Sequence, residues 1–280
     1  MIVDTSTVTR LIAEIAAEEV VPRFERLAKG EVTEKGPGDL VTVADLAAER
    51  RLAHALTRLL PKSAVIGEEA AAADPRLLDF LSDPSPVWLI DPIDGTWNFA
   101  HGRRHFCTIV ALVEGDRVEA GWIHDPLAGE TAVAERGAGA WIGDRRLELA
   151  AAASPASLKG ALLAGHFGDR VLGARVQSRR DRVGAVKSLR SAAHEYLRLV
   201  RGEIDYALFT KLMPWDHAPG VLLHAEAGGH AAYLDGTGFR PARIDAGALL
   251  LAPDAASWRR LHDTLLGDEP GDEAIGGGTR

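Results

Sequence analysis

The segment WLIDPIDGTWNF, residues 88–99, places two aspartates at the end of an apolar run. Leu89 and Ile90 continue the pattern of a buried strand, and Asp91 and Asp94 follow it closely. Two ionised carboxylates beside a core repel each other and lose hydration, so a fold tolerates them only with a cation or with raised pKa values. N-capping of a short helix would explain Asp94 but not Asp91. The segment therefore predicts a site, not only a turn.

Other carboxylates follow predicted elements in the same way. Glu68 and Glu69 come directly after the short strand SAVIG, and Asp45 begins a helix after the glycine-rich loop TEKGPGDLVT. If the strands that precede Glu68 and Asp91 are neighbours, their carboxylates meet at one edge of a sheet. A set of carboxylate oxygens selects hard cations, Mg²⁺ first, and the carbonyl of Ile93 could complete the shell.

Gly95 and Thr96 add a place for an anion beside these carboxylates. A glycine lets the backbone approach a ligand, and N–H groups at a helix start bind phosphate well. A threonine hydroxyl next to a metal ion can help to orient and deprotonate a water molecule. The spacing of Asp91 and Asp94 differs from the Asp-x-Asp-Gly-Thr pattern of phosphatases with an aspartate nucleophile, because Pro92 stands two residues before Asp94. The pattern therefore favours metal-assisted hydrolysis of a phosphate ester by water.

Asp216 is the remaining carboxylate of this kind. It follows Trp215 at the start of a predicted helix, with Pro219 in the first turn. By itself it reads as an N-cap, and a helix start is also a good anion site. Beside Asp91 and Asp94, we interpret it as a metal ligand.

Hydrophobic periodicity predicts helices near residues 8–28 and 44–60, a meander of strands up to about residue 150, and alternating strands and helices after it. The fold class is therefore α/β (α+β), with an N-terminal half over 1–150 and a smaller α/β half over 151–265. Residues 266–280 contain GDEPGDE and AIGGGTR and are predicted to be a disordered tail.

Composition limits the partners of the chain. The net charge of -8 argues against general binding to nucleic acid or to an anionic membrane. No apolar run approaches the roughly 20 residues that cross a bilayer. A single cysteine, Cys107, excludes an internal disulfide and predicts a core residue in a reducing, cytoplasmic compartment.

Four segments resemble the motif regions of the inositol monophosphatase family. They are IGEE (66–69), WLIDPIDGTWNF (88–99), PWDHAPG (214–220) and GDLVTVAD (38–45). The resemblance runs in order from about residue 5 to 265. It implies the layered αβαβα sandwich of that family, a homodimer, and a phosphatase that depends on magnesium.

The resemblance also implies the ligands of two to three Mg²⁺ ions. The first ion would take Glu68, Asp91 and the Ile93 carbonyl; the second would take Asp91, Asp94 and Asp216; the third, or its waters, would take Asp45 and Glu69. Thr96, with Asp45, would activate the attacking water. The backbone N–H groups of Gly95 and Thr96 would bind the phosphate.

The chain departs from the inositol-specific pattern at two places. Phe209 stands seven residues before Asp216, where those enzymes carry an acidic residue that contacts substrate hydroxyls. Lys211 adds a cation to this stretch, FTKLMPWD. In the other segment that contacts substrate in the family, here LRSAAHEY, Arg190 and Ser191 replace a Gly-Thr pair. Arg190 could pair with a second anionic group or could be a surface residue.

We therefore predict a phosphatase for a small phosphate monoester. The candidates are the phosphate of inositol, of another polyol or sugar, of histidinol, or a 3′-phosphoadenosine-type bisphosphate nucleotide. The alternative from another class is a non-catalytic regulatory protein that binds metal and phosphate.

Overall fold

The computed structural model describes residues 3–150, 158–163, 170–245 and 247–267. Eight α-helices lie in these ranges: α1 Thr5–Ile15, α2 Val43–Leu59, α3 Glu68–Ala73, α4 Thr96–Ala100, α5 Arg170–Ser178, α6 Ala192–Val200, α7 Pro214–Glu226 and α8 Ala255–Leu266. The strands are β1 Val32–Gly36, β2 Asp39–Thr42, β3 Ala64–Gly67, β4 Val87–Asp94, β5 Cys107–Glu114, β6 Arg117–Asp125, β7 Glu130–Glu135, β8 Gly139–Ile142, β9 Arg145–Arg146, β10 Gly160–Leu163, β11 Ala185–Val186, β12 Tyr206–Phe209, β13 His230–Tyr233 and β14 Leu249–Ala252.

The strands form two large sheets and one hairpin. The first sheet has the order β3-β4-β5-β6-β7-β8-β9; β3 pairs parallel with β4, and the others form the predicted antiparallel meander. The second sheet has the order β11-β10-β12-β14-β13. The hairpin β1-β2 stands apart from both and leads into α2.

Alternate residues of β4 face different layers. Trp88 and Ile90 pack with Ile12 of α1 and Leu52 of α2, whereas Leu89 belongs to the cluster between the two sheets. That middle cluster contains α6 and α7 with residues of both sheets, and α5 and α8 cover the outer face of the second sheet. The order of layers is α-β-α-β-α, so the expected αβαβα sandwich is confirmed.

The middle cluster joins the two halves of the sequence. Ile109 of the first sheet, Tyr196 of α6 and Leu251 of the second sheet are all buried in it. The division at residue 150 stays a prediction, and the halves on either side of it share this core. The predicted tail, residues 266–280, lies outside the described residues except for Leu266, which ends α8, and Gly267.

The first helix is shorter than predicted. Regular α-helix ends at Ile15 and passes into a π-helical turn, Ala16–Val20, and a 3-10 turn, Val21–Arg23. Pro22 lies in that last turn, and a proline cannot donate the backbone hydrogen bond that continues an α-helix. The second helix, by contrast, matches the prediction of residues 44–60 within one residue.

Two glycines let α7 lie close to its neighbours. A Cβ atom at Gly220 would stand 2.2 Å from the ring of Tyr196 on α6, and one at Gly121 of β6 would stand 2.6 Å from the Cα atom of Pro219. Because neither residue carries a side chain, α7 packs against both elements, and its first turn reaches the carboxyl end of β4.

Across the described residues, none of the helices combines the length and the apolar character that crossing a bilayer requires.

His224 of α7 is fully buried, and neither of its ring nitrogens has a hydrogen-bond partner among the described residues. Burial, with a smaller contribution from His230, lowers the pKa of His224 to about 3. Below pH 6.5, the ordinary pKa of about 6.5 lets His224 bind a proton in the unfolded chain, whereas it stays neutral in the folded chain. The free energy of unfolding therefore falls as the pH falls. We expect His224→Leu to gain about 2 kcal/mol of unfolding free energy over the wild type between pH 7 and pH 5. Urea unfolding at both pH values measures this gain.

The exposed histidine His54 offers a matched control, because His54→Leu removes an imidazole that is not buried. A constant difference between His224→Leu and the wild type from pH 7 to pH 5 would contradict the proposed cost of the buried ring.

Candidate active site

The parallel pairing of β3 with β4 sets the frame of the site. Gly67 lies opposite Ile90 in this register, so the next residues, Glu68 after β3 and Asp91 near the end of β4, lie at the same edge of the sheet. Carboxyl ends of adjacent parallel strands are a common place for a site in an α/β fold. The predicted neighbourhood of the two carboxylates is therefore confirmed.

The end of β4 is irregular and buried. The pairing with β5 shifts between Asp91 and Asp94, and every residue of the strand is buried. The backbone N–H of Ile93 donates to the Asp91 carboxylate at 3.0 Å, which fixes that side chain on its own turn. Gly95 follows with φ 89°, and a Cβ atom there would stand 2.7 Å from the His105 carbonyl oxygen. The chain can therefore turn from strand to α4 at this point only with glycine.

Thr96 is the first residue of α4, and its hydroxyl lies between two acceptors. It donates to the Ile93 carbonyl at 2.9 Å and stands 3.4 Å from an Asp45 carboxylate oxygen. The other oxygen of Asp45 accepts from the Thr42 hydroxyl at 2.5 Å and from the Thr42 N–H at 2.9 Å, which is a capping box at the start of α2. The predicted pair of Asp45 and Thr96 is thus within contact distance although 51 residues separate them.

Asp94 faces the start of α6. Its carboxylate accepts hydrogen bonds from the Ser191 hydroxyl and from the N–H groups of Ala192 (3.1 Å) and Ala193 (2.9 Å). Burial raises the pKa of Asp94 to about 6, although these donors act in the opposite direction. Ser191 therefore contacts Asp94, a candidate metal ligand. Its predicted role in substrate binding stays a prediction.

Asp216 lies in the first turn of α7 and shares a hydrogen bond with the Asp91 carboxyl group. Burial raises the pKa of both groups well above the usual range, and the neighbouring Glu68 carboxylate raises both further. Two buried carboxyl groups side by side are stabilised by a shared proton or by a bound cation. The positive charge of exposed Lys211 lowers the pKa of Asp216. The role of Lys211 in substrate binding stays a prediction.

His217 fixes the backbone that carries Lys211. Its Nε2 lies 2.8 Å from the Lys211 carbonyl and its Nδ1 lies 2.9 Å from the Tyr196 hydroxyl. The ring is buried, and both of its nitrogens already have hydrogen-bond partners. Phe209 stacks on Tyr196 with 5.1 Å between ring centroids and is only 2% exposed. It is thus a core residue and provides no acceptor for a substrate hydroxyl.

Lys35 is a site residue that the sequence pattern did not indicate. Its ammonium group lies 2.9 Å from a Glu68 oxygen and 2.9 Å and 3.0 Å from the two Glu69 oxygens. Burial alone would lower the pKa of Lys35, but the carboxylates, Glu68 foremost, outweigh burial and raise it. Lys35 belongs to β1, so the β1-β2 hairpin places its ammonium group beside Glu68 and Glu69, which the sequence predicts to be metal ligands.

Glu49 is a second residue that was missed. It lies in α2, four residues after Asp45, and its carboxylate accepts from the N–H groups of Glu69 (2.8 Å) and Ala70 (2.9 Å) at the start of α3. The spacing of four residues puts Asp45 and Glu49 on one helix face, which is the signal that would have found it. Glu49 holds the helix that carries Glu68 and Glu69.

The acidic side chains fit a hard divalent cation in their chemistry. Burial raises the pKa of Asp45 and that of Glu69 to about 7, against the hydrogen bonds from Thr42 and Lys35 respectively. Such shifts are expected where carboxylates gather without a counter-ion. In the described ranges, no three His, Cys, Asp or Glu side chains already stand in the geometry that holds one ion. Asp94 contacts the start of α6, and Glu68 and Glu69 contact Lys35.

A layered fold with carboxylates gathered beside a helix start places the chain among the metal-dependent phosphatases. Residues 4–268 match the inositol monophosphatase family, and the chain belongs to that family. It is accordingly a phosphoric monoester hydrolase.

Three relatives illustrate the similarity. The inositol-1-monophosphatase of Mesorhizobium japonicum is 35% identical over 76% of this chain and 79% of its own length. The Nus factor SuhB of Pseudomonas aeruginosa is 36% identical over 78% of this chain and 80% of its own. The crystal structure of the extragenic suppressor protein suhB from Bartonella henselae is 25% identical and superimposes with a TM-score of 0.81, covering 94% of this chain and 99% of the other.

Proposed function

We propose that the chain hydrolyses a small phosphate monoester with Mg²⁺ as its metal and water as the nucleophile. The observation that carries this proposal is the convergence of Glu68, Asp91 and Asp216 at the carboxyl end of β4, directly before the turn at Gly95.

The oxygen donors divide into three groups. One ion would be held by Glu68, Asp91 and the Ile93 carbonyl, a second by Asp91, Asp94 and Asp216, and a third by Asp45 and Glu69. When bound, Mg²⁺ lowers the pKa of water and neutralises the charge that develops on the phosphate oxygens.

The protein's own groups handle the proton and the phosphate. The Thr96 hydroxyl can donate its hydrogen to the Asp45 carboxylate instead of the Ile93 carbonyl. The Thr96 oxygen can then accept a proton from the attacking water. Asp45 is the carboxylate that stands within 3.4 Å of the Thr96 hydroxyl, so it is placed to take up the proton that Thr96 passes on. The N–H groups of Gly95 and Thr96 belong to the first turn of α4, where backbone donors have no intrahelical acceptor, and we assign them to the phosphate.

Phosphate release from a panel of esters tests this proposal. Myo-inositol 1-phosphate, histidinol phosphate, fructose 1,6-bisphosphate and adenosine 3′,5′-bisphosphate are incubated with Mg²⁺ and, separately, with EDTA. We expect release from at least one ester with Mg²⁺ and none with EDTA. Release from the adenosine bisphosphate but not from polyol phosphates selects the nucleotidase alternative.

The relative that is named a Nus factor supports a second candidate, a regulatory protein that binds metal and phosphate without hydrolysis. Absence of release from every ester, together with Mg²⁺ binding, would favour this candidate. Complete occupation of the predicted ligand positions by carboxylates supports hydrolysis.

Binding of Mg²⁺ is expected to release protons below pH 7. Because the pKa values of Asp45 and Glu69 are raised to about 7 and that of Asp94 to about 6, these groups are partly protonated in the metal-free protein at pH 6.5. The bound ions require them and the Asp91–Asp216 pair ionised, so on the order of two protons leave at pH 6.5 and fewer at pH 8.5. Calorimetric titration in two buffers of different ionisation enthalpy counts these protons. Equal heats in both buffers at pH 6.5 would contradict the expectation.

A cytoplasmic location and a homodimer complete the proposal. Buried Cys107, the single cysteine of the chain, supports a reducing compartment. Size-exclusion chromatography with light scattering tests the dimer.

A further inference from the structure

Two guanidinium groups and one imidazole ring lie against the indole ring of Trp97, the residue after Thr96. The guanidinium carbon of Arg190 lies 4.0 Å from the centroid of its ring and that of Arg103 lies 4.6 Å from it. The imidazole of His101 stacks on the same ring at 4.1 Å, and its Nδ1 lies 2.7 Å from the Trp97 carbonyl. The indole is thus a fixed platform at the start of α4.

Arg190 is held there in a strained conformation. Its φ of 61° is a left-handed value that a non-glycine residue adopts at a cost, and such residues cluster at functional sites. The Asn98 side-chain amide fixes this backbone, because it lies 2.9 Å from the Leu189 carbonyl and 3.1 Å from the Arg190 carbonyl. The next residue, Ser191, contacts Asp94, so the strained turn borders the proposed site directly.

Within the part of the chain that the structure describes, no carboxylate neutralises either guanidinium. Arg103 and Arg190 are both exposed, and neither forms an ion pair with a carboxylate of the described residues. Two like charges beside one ring repel each other, in a chain whose net charge is -8. Stacking uses the face of a guanidinium and leaves its N–H edge free for the bidentate hydrogen bonds that a phosphate accepts.

We propose that Arg190 and Arg103, fixed on Trp97, bind a second phosphate group of the substrate. This inference rests on the proposed phosphatase function and narrows its substrate class to esters that carry a second phosphate, in preference to phosphates of neutral polyols. The buried position of Phe209 agrees with it, because that residue offers nothing to a neutral hydroxyl.

Matched substrate pairs test the inference. Each pair differs by one phosphate: myo-inositol 1-phosphate with the 1,4-bisphosphate, fructose 1-phosphate with the 1,6-bisphosphate, and adenosine 3′-phosphate with the 3′,5′-bisphosphate. In at least one pair we expect kcat/KM to be roughly tenfold higher for the bisphosphate, since a hydrogen bond to a charged group is worth about that factor. Arg190→Gly should abolish this preference by raising the KM of the bisphosphate about tenfold more than that of the monophosphate.

The variants separate binding from folding. Glycine accepts a φ of 61° without strain, so Arg190→Gly should melt no lower than the wild type. Arg103→Gln should lose part of the preference, whereas Arg104→Gln removes an equally exposed charge that is not stacked on Trp97 and should keep it. Equal kcat/KM within every pair, or parallel losses for both members of a pair in Arg190→Gly, would overturn the inference.

A binding experiment keeps this inference distinct from the proposed function. Calorimetry of myo-inositol 1,4-bisphosphate and 1-phosphate with the Asp94→Asn protein measures the preference without turnover. Tighter binding of the bisphosphate that disappears in Asp94→Asn with Arg190→Gly supports the subsite even if no ester is hydrolysed. Equal binding of the two ligands counts against the subsite even if hydrolysis is observed.

Discussion

Asp94→Asn is expected to lower Mg²⁺-dependent phosphate release on the order of a thousandfold. The asparagine keeps the shape of the side chain but loses the negative charge that a bound cation needs. Its single oxygen acceptor also cannot serve all three donors of α6, which come from Ser191, Ala192 and Ala193. The measurement is the initial rate of phosphate release at saturating substrate and Mg²⁺.

Asp79→Asn is the matched control, since it makes the same substitution at an exposed aspartate that is not one of the predicted site residues. The melting temperature of both variants shows whether the fold survives. A folded Asp94→Asn protein that retains the wild-type rate would remove Asp94 from the mechanism and with it the proposed second ion.

Glu49→Gln is expected to raise the Mg²⁺ concentration for half-maximal activity by roughly 10- to 100-fold. Glu49 accepts two N–H groups at the start of α3, and glutamine offers one oxygen and turns an NH₂ group toward the other donor. Glu68 and Glu69 then lose their fixed position. Because the contacts of Glu49 are with the backbone of α3, kcat at saturating Mg²⁺ should recover, which distinguishes positioning from catalysis.

Two further variants sharpen this test. Gly67→Ala should act in the same direction, because its Cβ atom would stand 2.2 Å from the Glu49 carboxyl carbon. Glu14→Gln, at an exposed position of α1, should leave the Mg²⁺ requirement unchanged. A loss in Glu49→Gln that excess Mg²⁺ fails to restore would show that the residue does more than hold α3.

Local patterns predicted much of the site. The apolar run before Asp91, the glycine at position 95 and the place of Asp45 at the start of a helix are properties of short segments, and the structure has each of them, although β4 continues to Asp94. The helix predicted to reach residue 28 was wrong after Ile15, although Pro22 marks the break.

Contacts between distant segments escaped prediction. Lys35 reaches Glu68 and Glu69 across more than thirty residues, and Ser191 reaches Asp94 across 97. Neither pairing leaves a periodic signal, because each depends on where a hairpin or a helix docks.

The sequence by itself determined the α/β (α+β) class, the oxygen-rich donor set and the turn at Gly95, because periodicity and turn chemistry act between residues that are close along the chain. The order of the layers was implied by the resemblance of the motifs to a family. Only the tertiary structure decided that β3 lies parallel to β4, that Glu49 and Lys35 support the acidic residues, and that Arg190 rests on Trp97. The physical reason is that these contacts follow from how packed layers orient whole elements, and that orientation is a property of the complete core.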